Sequence, residues 1–247
     1  MVESLLKRFY RALMPESMRS STAVAKLKWK LLGHDWMYDS EYFRNEVEGV
    51  AVRAANTLAV SIVTDLKPQT AIDLGCGTGA LLSALRDRGC TVVGLEYAEA
   101  ALRYCRQRHL TVSKFDLEND RLSDKRTFDV AVSMEVAEHL PAGTADRFVD
   151  LLTRLSNVIV FTAATPGQGG WGHVNEQPQC YWITKFHERR FDLDEVVSGR
   201  WQERWLASGE VAGYYCKNLM IFRRRLEVEP RGHVSHRVRA VPAFRPR

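Results

Sequence analysis

Three glycines follow a short apolar segment, and their spacing could hold a cofactor. Residues 72–79 read IDLGCGTG. Glycine permits tight backbone turns and lets a ligand approach the main chain closely. The segment lacks both the Gly-x-x-x-x-Gly-Lys-Ser/Thr pattern and any lysine, so a triphosphate site is not indicated. The glycines therefore predict a strand-to-helix turn for a cofactor without a triphosphate.

Three carboxylates lie at the predicted ends of consecutive strands. Asp73 precedes the glycine turn, Glu96 ends the second strand, and Asp116 ends the third. A carboxylate at the end of the second strand can accept hydrogen bonds from both hydroxyls of a ribose. Asp73 is placed to receive a cationic amino group, and Asp116 lies beside the expected adenine pocket.

Together, these residues resemble the class I S-adenosylmethionine-dependent methyltransferases, over roughly residues 70–163. The resemblance implies S-adenosylmethionine as cofactor and S-adenosylhomocysteine as product. It implies a Rossmann-like α/β fold whose seven-stranded, mostly parallel sheet has a reversed last strand. It also implies a cofactor site formed by Asp73, Gly75, Cys76, Gly77, Gly79, Glu96, Asp116 and Met134. A NAD-type site would need Gly-x-Gly-x-x-Gly, and the residues after Gly79 do not match that spacing.

The fourth predicted strand runs into residues 133–141, SMEVAEHLP. Ligands of doubly wound sheets bind beyond the carboxyl ends of the strands, so this segment should face the cofactor. Methyl transfer requires alignment, a dry site and removal of a proton from the acceptor. His139 is the candidate base because the pKa of histidine lies near neutrality, and Glu135 is grouped with it as a catalytic residue. The alternative is that His139 caps a turn and steadies Glu135.

The pattern Glu135-x-x-Glu138-His139 also resembles one in methyltransferases that act on quinone-ring and terminal-ribose hydroxyls. Some of those enzymes hold a divalent metal there. Two carboxylates and an imidazole, with His173 completing the set, could ligate Mg²⁺ or a softer ion. The same residue pattern also occurs in methyltransferases that hold no metal, so we predict a metal-free site and keep a divalent metal as the alternative.

Residues 165–178, TPGQGGWGHVNEQP, surround one tryptophan with four glycines. This composition predicts a mobile lid over the acceptor side of the site. His173 is the second candidate catalytic residue; the alternative is that His173 and Asn175 satisfy backbone groups of a turn. The sequence from Gly172 to Trp182 resembles that of a subgroup of small-molecule methyltransferases associated with sugars and secondary metabolites.

The elements around these motifs alternate between strands and helices, which predicts a parallel sheet covered on both faces. We expect strands over 70–74, 91–96, 110–115, 128–134, 157–163 and 215–222. We expect helices over 3–14, 45–66, 78–88, 98–109, 143–155, 178–190 and 193–208.

Three regions follow from this reading: an N-terminal helical cap with a lead-in helix (1–66), a core domain (67–228), and a basic tail without stable structure (229–247). The cap either closes the acceptor pocket or packs on the sheet through its aromatic residues, which are Trp29, Trp36, Tyr38, Tyr42 and Phe43. Tyr181, Trp182 and Phe186 are predicted core residues; the alternative is that they form a platform for the substrate.

The 247 residues, 45% of them hydrophobic and 26% charged, suffice for one α/β domain. Five cysteines without a CxxC pair indicate reduced thiols, and no apolar run approaches the length of a membrane span. We therefore expect a cytoplasmic protein that does not span a membrane. The net charge of +5 divides into +5 over 1–30, −6 over 31–222 and +6 over 223–247.

These features favour a methyltransferase that acts on a hydroxyl or amine of a small molecule, which could be a sugar-containing metabolite. One alternative is an RNA methyltransferase that uses the basic ends, although no RNA-binding module is recognisable. The other is a cofactor-binding scaffold without turnover. The acceptor and the oligomeric state stay open.

Overall fold

A seven-stranded sheet organises the chain, as the family resemblance implied. The computed structural model describes residues 38–123 and 126–225. The predicted helix over 3–14, Trp29, Trp36 and the basic tail lie outside the described residues. The strand order is β3-β2-β1-β4-β5-β7-β6, and β7 runs antiparallel to both of its neighbours. The predicted mostly parallel sheet with a reversed last strand is therefore confirmed.

The strands are β1 Thr70–Leu74, β2 Thr91–Glu96, β3 Val112–Lys114, β4 Val130–Met134, β5 Val158–Thr162, β6 Phe191–Leu193 and β7 Met220–Arg224. The helices are α1 Glu48–Leu66, α2 Ala80–Arg86, α3 Glu99–Gln107, α4 Ala145–Leu155, α5 Gln179–Glu188, α6 Glu195–Ser208 and α7 Gly213–Asn218. Most predicted elements are present with slightly shorter bounds.

Two elements near the end of the described chain differ from prediction. β6 is absent from the predicted elements because it has only three residues, between two helices. Its alternation of a buried Phe191 and an exposed Asp192 is too short to indicate a strand. The strand predicted over 215–222 is wrong in its first half, since residues 213–218 form α7. The aromatic residues there line a cavity and do not pair with a strand, and β7 begins at Met220.

α1 continues a shorter helical segment at its amino end. Ser40–Tyr42 is helical and Phe43–Val47 is one π-helical turn. The helix ends at Lys67, which adopts a left-handed conformation just before Pro68. Within the described ranges, Ser40–Leu66 is the one helix long and apolar enough to cross a membrane, and it contains an 18-residue window with a mean hydropathy of 1.2. Its inner face packs on the sheet as the face of a core helix does.

Apolar side chains cover both faces of the sheet. On one face Phe161 contacts Trp182 and Phe186, so the predicted core placement of those two residues is confirmed. On the other face Trp201 and Trp205 pack with α1. The indole N–H of Trp205 donates to Ser61 at 3.0 Å, which satisfies its polar atom inside the core. Packing on both faces holds the carboxyl ends of β1, β2, β4 and β5 rigidly at one edge.

Candidate active site

A cavity of about 460 Å³ opens at the carboxyl ends of the parallel strands. Ten of the eleven predicted site residues line it: Asp73, Gly75, Cys76, Gly77, Glu96, Asp116, Met134, Glu135, His139 and His173. Gly79 does not. One volume therefore joins the predicted cofactor residues to the predicted catalytic residues.

The glycine turn between β1 and α2 requires glycine for two different reasons. Gly75, Gly77 and Gly79 have φ values of +73°, +54° and +77°, a left-handed region that other residues rarely adopt. A Cβ at Gly75 would lie 2.6 Å from Cγ2 of Val136, and one at Gly79 would lie 2.5 Å from Cδ1 of Leu110. Gly79 precedes the first residue of α2, so its contribution is to the shape of the turn.

Glu96 at the end of β2 holds this turn through its carboxylate. Oε2 accepts the N–H of Gly77 and Oε1 accepts the N–H of Ala98, both at 2.8 Å. Burial raises the pKa of Glu96, and these two N–H groups oppose the rise. Each carboxylate oxygen has more than one lone pair, so Glu96 can still accept hydrogen bonds from ribose hydroxyls.

Asp73 and Cys76 flank the same turn in buried positions. Burial and the neighbouring Glu96 raise the pKa of Asp73 to about 7. An ammonium group at this carboxyl would favour its charged form. The pKa of Cys76 is raised well above its usual range by a hydrogen bond with Cys105 and by burial, so its thiol stays protonated.

Asp116 and Met134 line the cavity at the ends of β3 and β4. Asp116 follows β3 by two residues, in a turn that its own carboxylate stabilises by accepting the N–H of Glu118 at 2.8 Å. Met134 is the last residue of β4. Both side chains therefore lie where the sequence placed them.

Glu135 adopts a left-handed backbone conformation with φ +53° directly after β4. Its N–H donates to Oγ1 of Thr162 at 2.9 Å, which ties the turn to β5. Its carboxylate accepts the amides of Gln168 at 2.8 Å and Asn218 at 3.1 Å. Asn218 also donates to Gln168 at 2.8 Å, which closes a three-residue network. These contacts make Glu135 a link between the glycine-rich loop and α7.

Glu138, His139 and His173 bring their ligand atoms within 4.8 Å of one another. The imidazole centroids of the two histidines are 5.0 Å apart, and Nδ1 of His139 lies 3.0 Å from the Tyr38 hydroxyl. The metal-ligand set suggested by the sequence is thus altered, because the structure groups Glu138 with both histidines and Glu135 is held elsewhere. The chain segments that contain Tyr38, Glu138 with His139, and His173 thus meet at the acceptor side of the cavity.

Glu138 is buried completely, and neither of its carboxylate oxygens has a hydrogen-bond partner in the described part of the chain. Burial, followed by the neighbouring Glu135, raises the pKa of Glu138 well above its usual range. Leaving a buried polar group unpaired costs about 1–3 kcal/mol. Glu138 therefore presents a buried carboxyl that favours its protonated form and lies beside the two histidines.

Aromatic residues form the remaining wall of the acceptor side. Tyr38 and Tyr42, which belong to the predicted cap, line the cavity with Trp171 of the glycine-rich loop. Tyr214 and Tyr215 of α7 also line it. No sequence motif singles out these two residues, and the strand predicted from residue 215 onward conceals the helix that positions them. Among the described lining residues there are seven carboxylates and no lysine or arginine. The cavity as a whole therefore suits a neutral or cationic ligand better than an anionic one.

Comparison with known proteins gives one family match and a group of similar enzymes. Residues 72–159 match the methyltransferase domain family. Ubiquinone biosynthesis O-methyltransferase from Nitrosomonas europaea is 26% identical over 166 residues, which cover 62% of this chain and 63% of that protein. The chain aligns with only 42–63% of the length of the first curated relatives that it matches.

Two solved structures share the fold. Magnesium protoporphyrin IX methyltransferase from Synechocystis PCC 6803, solved with bound SAM, has a TM-score of 0.54 and 13% identity, over 90% of this chain and 97% of that one. The sugar N-methyltransferase KedS8 from Streptoalloteichus has a TM-score of 0.56 and 13% identity, over 75% and 92%. Residues 72–159 thus match the kind of domain that the glycine turn indicated, and the two solved structures share its fold.

Proposed function

We propose, on the premise that this chain carries a class I S-adenosylmethionine-dependent methyltransferase domain, that it transfers a methyl group to a hydroxyl or amine of a small molecule. One observation carries the proposal. The cavity that contains the glycine turn and Glu96 also contains Glu138, His139 and His173. A cofactor held at one end would therefore present its methyl group to an acceptor held at the other.

S-adenosylmethionine fits the charge of this cavity. Its sulfonium and its amino group are cationic, and the described lining residues include seven carboxylates and no basic side chain of lysine or arginine. Asp73 would receive the amino group, Glu96 the ribose and Asp116 the region of the adenine. S-adenosylhomocysteine, the product, loses the sulfonium charge and with it part of this attraction.

In the proposed reaction the acceptor atom forms a bond to the methyl carbon as the carbon–sulfur bond breaks, and the electron pair of that bond goes to sulfur. The proton of the acceptor goes to His139, which ends a short helical turn five residues after β4. His173 faces His139 and would position the acceptor or serve as a second base. Glu135 supports this arrangement through Gln168 and Asn218.

A divalent metal is the alternative occupant of the acceptor end. The donors fit, because the unpartnered carboxylate of Glu138 lies with two imidazoles in one group of ligand atoms. Glu138, His139 and His173 would hold the ion, and carboxylate with imidazole suits zinc and similar metals. The ion would supply Lewis-acid activation of an acceptor hydroxyl. A chelator that abolishes activity, with recovery on adding metal back, would distinguish it from a metal-free base.

The relatives and the shape of the site suggest two acceptor classes. A ring hydroxyl is suggested by the ubiquinone relatives, and a sugar-containing metabolite by the sugar N-methyltransferase of similar fold. Tyr38, Tyr42, Trp171, Tyr214 and Tyr215 provide aromatic faces on which either ring could pack. We also propose that the protein acts in the cytoplasm on a dissolved acceptor.

Labelled S-adenosylmethionine incubated with panels of phenols, amino sugars and bulk RNA tests the proposal. We expect label in a small acceptor, and a mass increase of one methyl group in that product. Deleting residues 229–247 should leave this turnover intact. Label found only in RNA, and lost with that deletion or at higher salt, would favour the RNA alternative. Cofactor binding without labelled product from any panel would favour a scaffold.

A further inference from the structure

Glu176 lies three residues after His173, and its carboxylate accepts three hydrogen bonds at once. Oε2 accepts the N–H of Gly167 at 2.9 Å, and Oε1 accepts the N–H of Gly169 at 2.8 Å. Oε1 also lies 2.8 Å from Nδ1 of His173. The side chains of His173 and Glu176 are 8% and 9% exposed, so water competes little for these bonds. One buried carboxylate thus joins the glycine-rich loop to a histidine of the acceptor site.

The chemistry of the pair defines which ring nitrogen carries the proton. An ionised carboxylate only accepts hydrogen bonds, so Nδ1 of His173 must be the donor. A neutral ring that donates through Nδ1 has its lone pair on Nε2. Glu176 thereby leaves Nε2 of His173 as the atom that can accept a proton, a hydrogen bond or a metal ion.

The same loop is held on its other side. Gln168, which lies between the two glycines bound by Glu176, donates to Glu135 at 2.8 Å and accepts from Asn218 at 2.8 Å. A Cβ at Gly170 would come within 2.3 Å of Nε2 of His173, so the loop backbone lies directly against the imidazole. Closure of residues 167–170 and the orientation of His173 therefore depend on common contacts.

We propose that Glu176 is a positioning residue that couples closure of the glycine-rich loop to the tautomer of His173. When the loop is closed, its two N–H groups and the Nδ1–H group all bond to one carboxylate. When the loop opens, the carboxylate becomes accessible to water and holds the ring less strongly. The consequence for methyl transfer rests on the proposed function, whereas the coupling itself does not.

Nitrogen-15 NMR of histidine-labelled protein tests the coupling without any acceptor. At a pH where the ring is neutral, the wild type should show the Nδ1–H tautomer for His173, assigned by the signal that His173→Gln removes. Glu176→Gln and Glu176→Ala should shift this signal towards a mixture of tautomers. Glu188→Gln is the matched control, because Glu188 is 60% exposed and outside the cavity. An unchanged His173 signal in both Glu176 variants overturns the proposal.

Hydrogen exchange and kinetics measure the two consequences. The amides of Gly167 and Gly169 should exchange faster in the Glu176 variants than in Glu188→Gln, at equal thermal stability of the rest of the chain. Loss of a group that orients a functional histidine typically costs about 10–100-fold, so kcat should fall by that order with cofactor affinity retained. Glu176→Asp keeps the charge and should therefore retain part of the Nδ1–H tautomer signal of His173. This variant keeps the test informative should Glu176→Ala fold poorly. Slow exchange at both glycines in every Glu176 variant would contradict the coupling.

Discussion

The two ends of the cavity are built differently, although both are acidic. The candidate cofactor end comes mainly from residues 73–98, with Asp116 and Met134 added at the ends of β3 and β4. Its turn is shaped by glycine backbone and held by one carboxylate on two N–H groups. The acceptor end comes from four separate segments, and its surface is formed by side chains, namely tyrosines, histidines and an amide network. The first end suits a ligand common to a whole class of enzymes, and the second can change its ligand by changing single residues.

Glu96 and Glu138 show the same contrast in one residue type. Both are buried, at 8% and 0% exposure. Glu96 has backbone N–H partners for each oxygen, whereas Glu138 has none among the residues described. The carboxylate of Glu96 therefore maintains the turn while keeping lone pairs for a ribose, whereas the carboxyl of Glu138 has no such structural partner. Mutations at the acceptor end should therefore lower kcat, and mutations at the cofactor end should weaken cofactor binding.

The largest effect is expected at the acceptor end. Replacing the true base by alanine should lower kcat by about 10²–10⁴-fold, because general-base catalysis contributes that order. We expect His139→Ala to show this loss and His173→Ala a smaller one, with cofactor affinity nearly unchanged in both. His187→Ala is the control, since this histidine is exposed and lies away from the cavity. Full activity of both single variants, at a pH where the acceptor is still protonated, would leave proximity alone to explain the rate.

The next effect is expected at the cofactor end. Glu96→Ala removes hydrogen bonds to the ribose and to the N–H groups of Gly77 and Ala98, so it should weaken S-adenosylmethionine binding by roughly 1–3 kcal/mol. Calorimetry measures this directly. KM for the acceptor should stay near its wild-type value, because Glu96 lies at the other end. Unchanged cofactor affinity would refute the assignment of Glu96 to the ribose.

Glu138 predicts a dependence of stability on pH. Its pKa is raised in the folded state, so the folded protein binds more protons than the unfolded one above the ordinary glutamate pKa. The free energy of unfolding must then fall as pH rises, by up to about 1.4 kcal/mol per pH unit for one such group. Glu138→Gln should make this fall shallower, as urea unfolding between pH 5 and pH 8 would show. An equally steep fall in the variant would place the titration elsewhere.

The smallest effect concerns the affinity for the cofactor. With a pKa of about 7, Asp73 is largely protonated below neutrality and charged above it. Binding of a cationic amino group requires the charged form, so affinity should rise by about tenfold from pH 6 to pH 8 and release a proton. Asp73→Asn should bind more weakly and without this pH dependence. A flat profile in the wild type would argue that another group receives the amine.

Much of the fold could be predicted from the residues alone. The alternation of strand and helix patterns placed β1 to β5 and most of the helices that flank them, because each carries a continuous run of its own period. β6 and α7 could not be placed in the same way. β6 is three residues long, and the aromatic run that begins α7 has a strand-like composition. The seventh strand and its reversal came from the family resemblance.

The cofactor end was determined by the sequence itself. Its glycines, Asp73 and Glu96 lie within a span of 24 residues along the chain, and their predicted roles depend on a local turn and on neighbouring parallel strands. The acceptor end was decided only by tertiary structure. Tyr38 meets His139 across 101 residues, and Asn218 meets Glu135 across 83. Sequence spacing specifies local backbone geometry, whereas contacts between such distant side chains exist only once the sheet and its helices have packed.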